Sequence, residues 1–572
     1  MVIGTATYSI PSLLPECDII LRWIDLVRHS TMSIPNTLRP PDWINSGAEI
    51  AGGIDLLGLR LPVQFIGNAL LDGVTTVTPS VRYLAFRAWL IHSYGQTGGA
   101  DSLNSFTDFA ARIESALVLG NLLVERSITG LIGPDEALAR LERNESRVQV
   151  SSLVKQPAAM IYTGPSDQLG ISKSRGNAVP SLVAQRGVPL AHAVSKRLDQ
   201  IPIVKHLFSH ELQDVPVDDL RELGALVRID KVPEDERDLL VNAIVPTEPR
   251  KGEQERARIG TYASLLALAG RLKTRPSESH FFDAACSSVG FGEPLLDRTA
   301  DGWAAFCVRD AIAVTQEGVL AAVMGEILGQ PDEGLAGVNR NDVIVALMER
   351  VEEHDSAMRD LGLISDYESV ADFTFRELEA RLQMRLLNSG DASNTVVRWS
   401  DKLMEPSLYR HALKAGAGAL SLALVAWIMA ALRVGHLVRE GGAQYGHLSH
   451  QGWRRFGLRE VVQPELERFH RENRSWREVA AEMALRTVQQ HLQIAWSRQQ
   501  ADLTRDVALL TAEGKRWFPR GKDFAAGRTG ARIHQALGWL NQLQLIDNNG
   551  LTVDGEIVLR RALEVLKEEV TA

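Results

Sequence analysis

Cysteine is scarce in this sequence, and its spacing matches no cysteine-based scaffold. The chain has three cysteines in 572 residues, at Cys17, Cys286 and Cys307. Structural zinc ribbons need closely spaced pairs of thiolates, and small secreted scaffolds need a dense, even set. We therefore predict reduced thiols in a cytoplasmic protein, with no structural metal site.

The signatures of several common enzyme classes are also missing. The sequence has no G-x-x-x-x-G-K-[ST] phosphate loop, no G-x-G-x-x-G motif after a strand and no G-x-S-x-G nucleophile elbow. Nucleotide hydrolysis, dinucleotide chemistry and hydrolase chemistry are thereby disfavoured. We expect no cofactor and favour a non-enzymatic role. An enzyme whose carboxylates come together from distant segments, such as a nuclease, stays open as an alternative.

Charge is also absent from one long stretch, AGAGALSLALVAWIMAAL at residues 415–432. This run approaches the roughly 20 apolar residues that cross a bilayer. However, it is rich in Gly and Ala and lies far from both ends of the chain, and large helical proteins bury such helices on all sides. We predict a buried core helix, and the alternative is a membrane-associated effector anchored by 415–432. The N-terminus shows no basic stretch before an apolar run, so no secretory signal is predicted.

The overall charge is negative, because 62 Lys and Arg stand against 71 Asp and Glu, a net charge of −9. A protein covered with nucleic acid is usually basic, so any contact with nucleic acid must come from a local patch. The length of 572 residues exceeds what one hydrophobic core supports, which predicts several domains. The predicted segments are an N-terminal helical domain (1–145), a loop-rich helical domain (146–255), a central helical domain (256–440), a long-helix segment (441–510) and a winged-helix-like domain (511–572).

Helical periodicity dominates the sequence and strands are scarce, which predicts a mainly α fold. Ser475 and Glu478 form an S-x-x-E capping box, so one long helix is predicted from Ser475 past Ala501. Its first part, SWREVAAEMALRTVQQHLQIAW, also resembles a helix-turn-helix. Residues 483–486 are good helix formers and supply no turn. A continuous helix is therefore the favoured interpretation.

The last 60 or so residues give the most informative pattern. A helix capped by Thr529 leads into LQLID, and Asn548-Asn549-Gly550 separates that run from LTV. Asn-Gly between apolar runs is a strong hairpin signal, because both residues tolerate positive φ. A final helix follows, so WLNQLQLIDNNGLTVDGEIVL resembles the broad class of winged helices. Modules of this class contact either DNA or protein.

Cations and aromatic residues cluster immediately before this pattern, in KRWFPRGKDFAAGRTGAR. Basic side chains neutralise phosphates, and aromatic rings stack on exposed bases. The candidate nucleic-acid-binding residues are Lys515, Arg516, Trp517, Arg520, Lys522, Arg528 and Arg532. The alternative is a solvated basic loop whose tryptophan docks into the neighbouring core.

Other candidate sites have a simpler structural explanation. His206 and His210 have the i, i+4 spacing of a zinc pair, but no third ligand is identifiable. The carboxylates of MERVEEHD, from Glu349 to Asp355, include Arg350 and fit a solvated helix face. Arg82 and Arg87 suit either an anion clamp or internal ion pairs, and we favour internal pairing.

These patterns lead to one preferred hypothesis. We expect a non-enzymatic, multi-domain helical subunit of a bacterial nucleic-acid-associated complex, such as an antiviral defence or mobile-element system. Its C-terminal winged helix would bind DNA or a partner protein, and the basic loop before it would contact DNA or RNA. The placement in defence or mobile-element biology is an interpretation of context, because no residue shows it.

Overall fold

The computed structural model describes most of the chain after residue 54. The described residues are 55–143, 146–150, 153, 156–199, 201–208, 214–249, 253–286, 290–329, 337–387, 419–440, 458–501, 507–520 and 524–567. Of these residues, 66% are helical and 7% lie in strands. The predicted mainly α fold class is therefore confirmed.

The helices of the described residues are numbered here in chain order. They are α1 (Arg60–Leu70), α2 (Arg82–Gln96), α3 (Leu103–Val124), α4 (Pro134–Leu141), α5 (Ala158–Ile161), α6 (Thr163–Gln168), α7 (Gly187–Leu198), α8 (Pro202–Phe208), α9 (Val217–Leu226), α10 (Glu234–Ile244), α11 (Glu253–Leu272), α12 (Glu278–Cys286), α13 (Asp297–Gly329), α14 (Arg340–Glu349), α15 (Asp355–Asp360), α16 (Phe375–Leu387), α17 (Leu420–Glu440), α18 (Leu458–Glu472), α19 (Trp476–Ala501), α20 (Ile533–Gln542) and α21 (Val553–Lys567). Short 3₁₀ turns occupy Pro294–Leu296 and Val370–Asp372.

The strands of the described residues are short and antiparallel. They are β1 (Arg147–Gln149), β2 (Ser172–Arg175), β3 (Ala178–Leu182), β4 (Asp214–Pro216), β5 (Val338–Asn339), β6 (Leu510–Glu513), β7 (Arg516–Pro519), β8 (Ile546–Asp547) and β9 (Gly550–Leu551). β1 pairs with β4, β2 with β3 and β8 with β9, while the remaining strands form a sheet in the order β5-β7-β6. The polar segment YTGPSDQLGISKSRGNAVP, within the predicted loop-rich domain, forms α6 and most of the β2–β3 hairpin rather than a loop.

Two hydrophobic cores organise these elements. The first core contains buried side chains between Val63 and Phe306 together with those of Ala531–Val565. The second core contains those of Leu56–Leu59, Cys286 and the stretch from Ala304 to Trp517. The described chain therefore contributes first to the second core (Leu56–Leu59) and then to the first core. It returns to the second core from Ala304 to Trp517 and to the first core from Ala531 onwards. The described residues belong to one compact unit, and the predicted division into five segments stays a prediction.

Helix α13 belongs to both cores. It has 33 residues, and its side chains are buried from Thr299 to Ile327 with few interruptions. Trp303 packs in the first core, whereas Val319 and Val323 pack in the second. The helix is therefore apolar around most of its circumference, as expected of an element enclosed on all sides.

Two apolar helices bear on the membrane alternative. Among the described residues, Pro294–Gly329 is the segment long and apolar enough to cross a bilayer, and 89% of its apolar window is buried inside the protein. The described part of the predicted core helix, α17, buries its side chains from Leu420 to Val434 in the second core. This burial agrees with the core-helix interpretation of that segment.

A buried ion-pair cluster around Arg60 joins segments that are distant in the chain. Arg60 donates from Nε and Nη2 to the two carboxylate oxygens of Glu317, both at 2.5 Å. It also donates to Thr529 Oγ1 at 3.0 Å and to the carbonyl of Gly527. Asp310, 3.7 Å from Arg60, accepts the backbone N–H of Thr529 at 2.9 Å. The cluster thereby fixes α1 and the segment before α20 onto α13.

Replacing Arg60 tests the importance of this cluster. Arg60→Met leaves two buried carboxylates without their cation, and the loss of one partner from a buried pair costs about 3–5 kcal/mol of unfolding free energy. Burial already raises the pKa values of Glu317 and Asp310. The folded variant therefore holds protons that the unfolded chain releases, and its stability should fall as pH rises above about 4. Urea denaturation at several pH values measures both effects.

The matched control is Arg221→Ala. Arg221 pairs with Asp218 at 2.8 Å, but the two side chains are 53% and 90% exposed. Loss of an exposed pair costs at most about 1 kcal/mol. Equal effects of the two substitutions would contradict a central role for Arg60.

Candidate nucleic-acid interface

The predicted basic segment begins with a β-hairpin. β6 and β7 pair with Glu513 opposite Arg516, and Gly514 takes a φ of +59° at the tip. A positive φ favours glycine, which explains why Gly514 suits this tight turn. The side chains from Ala512 to Arg516 are exposed, so the hairpin tip projects into solvent.

Trp517 anchors this hairpin in the second core. Its side chain is 4% exposed, and it pairs across the sheet with Val338 on one side and Ala512 on the other. The next residue, Phe518, lies over Gly337, where a Cβ atom would come within 2.7 Å of the ring. The indole has no face open to a base, which agrees with the alternative that the tryptophan docks into the core.

Three of the predicted cations stand on this anchored hairpin. Lys515, Arg516 and Arg520 are exposed, with Lys515 at the tip and Arg520 just after β7. Arg516 also donates from Nη1 to the carbonyl of Gly337 at 2.9 Å, which steadies its guanidinium group. Residues 510–520 contain one acidic side chain, Glu513, against these three cations.

The remaining predicted cations lie elsewhere. Arg528 is exposed beside Thr529, at the edge of the Arg60 cluster. Arg532 is half-buried and donates from Nη1 to the carbonyl of Val74 at 3.0 Å. Burial lowers the pKa of Arg532, an effect that the carboxylate of Asp72 opposes. Lys522 lies outside the described residues. The structure thus separates an exposed group of three cations from Arg532, which serves packing.

Two contacts that position the hairpin have no signal in the local sequence. β5 completes the sheet from a segment far earlier in the chain. The backbone N–H of Leu509, just before β6, donates to Nε2 of the buried His491 at 2.9 Å. Nε2 is therefore an acceptor, so Nδ1 carries the proton and donates to the carbonyl of Leu56 at 3.1 Å. His491 ties the base of the hairpin to α19 and to the start of the described chain.

Other predicted sites have structural roles. Arg82 makes a bidentate pair with Glu236 at 2.9 Å, and Arg87 donates to the carbonyl of Ala159 and to Ser172 Oγ, both at 2.7 Å. These contacts agree with internal pairing rather than with an anion clamp.

Several of the candidate metal ligands within the described residues have other partners. Within MERVEEHD, Arg350 pairs with Glu353 and Glu326, and Glu352 pairs with Arg477. The side chain of His206, and all of His210, lie outside the described residues. No cluster of three or more His, Cys, Asp or Glu side chains suited to a metal ion occurs in the part of the chain that the structure describes.

The C-terminal pattern forms a helix, a hairpin and a helix. α20 is followed by β8 and β9, so the predicted hairpin is present. Its turn is Asn548-Asn549 rather than Asn549-Gly550, because Gly550, with a φ of +101°, already pairs with Asp547 in the first position of β9. Trp539 donates from Nε1 to the carbonyl of Thr78 at 2.9 Å. Gln542 Oε1 accepts the backbone N–H of Val81, also at 2.9 Å. These contacts pack α20 against the start of α2 in the first core.

The burial of Trp517 generates a stability prediction. Trp517→Ala should lower the free energy of unfolding by about 3–5 kcal/mol, because it opens a cavity in the second core. Thermal denaturation measures the loss. Trp496→Ala is the matched control, because that indole is 64% exposed, and its effect should stay within about 0.5 kcal/mol. An unchanged melting temperature for Trp517→Ala would show that the indole is not an anchor.

Comparison with protein-family models, curated proteins and solved structures gave no match for this chain. Support for a function therefore comes from the geometry of the described residues.

Proposed function

We propose that this protein binds the phosphate backbone of a nucleic acid through the exposed cations of the β6–β7 hairpin. The observation that carries the proposal is the arrangement of Lys515, Arg516 and Arg520 around a buried anchor, Trp517. The strands hold these cations on a fixed frame, so little backbone entropy is lost when phosphates bind.

The charge of the whole chain limits how this surface can act. The net charge is −9, so long-range attraction cannot come from the molecule as a whole. A local group of three cations releases about three counterions, with a slope of log K against log salt near −2.7. Affinity would then fall by about 40-fold between 50 and 200 mM salt.

This proposal extends the hypothesis drawn from the sequence. We propose that the chain acts as a non-enzymatic subunit of a nucleic-acid-associated complex. The pairing of its candidate carboxylates with arginines supports this, because paired carboxylates are poor ligands for a catalytic metal.

A charge-removal series tests backbone binding. Replacing Lys515, Arg516 and Arg520 together by Ala should reduce the magnitude of the salt slope by about 2.7 and weaken binding to all sequences alike. Fluorescence anisotropy with labelled duplex and single-stranded DNA and RNA, at four salt concentrations, gives the slope for each probe.

The control changes the same amount of charge elsewhere. Arg126, Lys231 and Arg275 are exposed and lie outside the hairpin, so their triple Ala variant should retain the wild-type slope. Equal losses of salt slope in both variants would show that binding depends on overall charge and not on the hairpin. Wild-type protein without salt-sensitive binding to any probe would refute the proposal.

A second candidate function rests on a different surface. Val553 and Ile557 are 76% and 61% exposed and stand one turn apart on α21. Apolar patches exposed on a protein surface are typical of protein contact sites, and these two side chains would form the centre of such a patch. The helix, hairpin and helix of Ile533–Lys567 would then act as a winged-helix-like module that contacts a partner protein.

The two candidates predict different losses. Val553→Glu with Ile557→Glu should abolish recovery of a stoichiometric partner in quantitative affinity purification from native cells. The variant should keep the wild-type salt slope for nucleic acid. Exposed Glu556 and Glu564 changed to Gln provide a matched control on the same helix. Unchanged recovery of every co-purifying protein would exclude this surface.

A further inference from the structure

We infer that α19 and the β5-β7-β6 sheet form a unit that reads the base sequence of duplex DNA, with the solvent face of α19 in the major groove. This inference rests on the proposed function, because the hairpin cations would hold the phosphates beside that groove. It goes further by naming the nucleic acid, the groove and the side chains that distinguish sequences.

The order of elements supports this assignment. With the inserted residues 350–475 left out, the chain order is α13, β5, α14, α19, β6, a turn and β7. The strand β5 pairs with β7, so the strands before and after the helices belong to one sheet. This is the order of a winged helix, with β6–β7 as the wing and α19 as the helix before it. Residues 350–475 are inserted between α14 and α19, which hides the motif in the sequence.

Side-chain contacts show that these helices pack as one unit. Arg477, at the start of α19, donates to the carbonyl of Met348 in α14. Gln490, in the middle of α19, accepts from Gln316 of α13 at 2.7 Å. His491 connects the same helix to Leu509 at the base of the wing. The helix and the wing therefore share one rigid support.

The outer face of α19 presents a stripe of amides and one indole. Gln489, Gln493, Trp496 and Gln500 are exposed, and Trp496 is 64% exposed. At 3.6 residues per turn, these positions fall within about 60° of one another around the helix axis. Tryptophan is highly buried on average, so Trp496 offers an unusually large apolar surface to a ligand at this position.

The chemistry of this stripe matches base edges. A glutamine side chain can pair with adenine through two hydrogen bonds. Its NH₂ group donates to N7 of the base, and its carbonyl oxygen accepts from the N6 amino group. An apolar surface such as the Trp496 ring suits the methyl group of thymine. The stripe is about 16 Å long at 1.5 Å per residue, so it spans about five base pairs.

The electrostatics of α19 agree with this placement. No acidic residue lies between Gln489 and Ala501. The acids nearer its start have other partners, since Glu478 caps the helix with Ser475 and Glu482 pairs with Arg468 and Arg474. Duplex RNA is disfavoured as the ligand, because its deep and narrow major groove excludes a helix.

Selection from a randomised duplex DNA pool tests the inference on the full-length protein. Wild type should enrich a motif of about five base pairs that is rich in A·T. Gln489→Ala with Gln493→Ala should lower the preference for that motif over a scrambled duplex by at least about tenfold, while the salt slope on the scrambled duplex is unchanged. Gln499→Ala, on the same helix but about 90° from the stripe, should leave the preference intact.

Each outcome separates this inference from the proposed function. Salt-sensitive binding without an enriched motif would overturn sequence reading and leave backbone binding in place. A motif that survives the double variant would assign the reading to other residues and overturn the role of α19. Stronger binding to single-stranded DNA or to RNA than to duplex DNA would overturn the choice of ligand. A complete lack of binding would refute both.

Discussion

The bidentate pair between Arg60 and Glu317 is the interaction on which the arrangement of the described chain depends. Its partners are 257 positions apart, and Thr529 and Gly527 join the same guanidinium group from near the other end of the chain. A buried pair of this kind contributes little net energy when complete, but leaves a costly bare charge when broken. The cluster is complete only when α1 and the segment before α20 have both met α13, because the buried charges and their hydrogen-bond partners come from these three parts of the chain.

Burial also decides which cations of the basic segment are exposed to solvent. In the sequence, Lys515 and Arg532 look equivalent, since both belong to one run of cations. In the structure, Trp517 fixes the first part of the run to the second core, while Arg532 turns inward to the carbonyl of Val74. The exposed cations, Lys515, Arg516 and Arg520, are the ones that phosphates can reach. The packing of Trp517 and Arg532 therefore determines which part of the basic segment forms the proposed interface.

Local signals in the sequence predicted local structure well. The Ser475–Glu478 capping box forms with contacts of 3.0 and 2.8 Å, and the expected hairpin forms with its turn at Asn548-Asn549. The pairing of Arg516 with a segment 179 positions away could not be predicted, because strand periodicity carries no information about the partner. For the same reason, the sequence leaves burial of Trp517 as one of two alternatives, and it predicts α19 as a continuous helix without showing which of its faces is exposed.

The crossing of the chain between two cores bears on its synthesis. The first core needs the side chains of Ala531–Val565, and the second combines Leu56–Leu59 with residues as late as Trp517. A ribosome adds about 5–20 residues per second, so the apolar face of α13 waits for roughly 12–47 s before Val565 is made, and that of α17 for roughly 4–15 s before Trp517 is made. We therefore expect this chain to fold after release rather than piece by piece, and to depend on chaperones that shield those faces during translation.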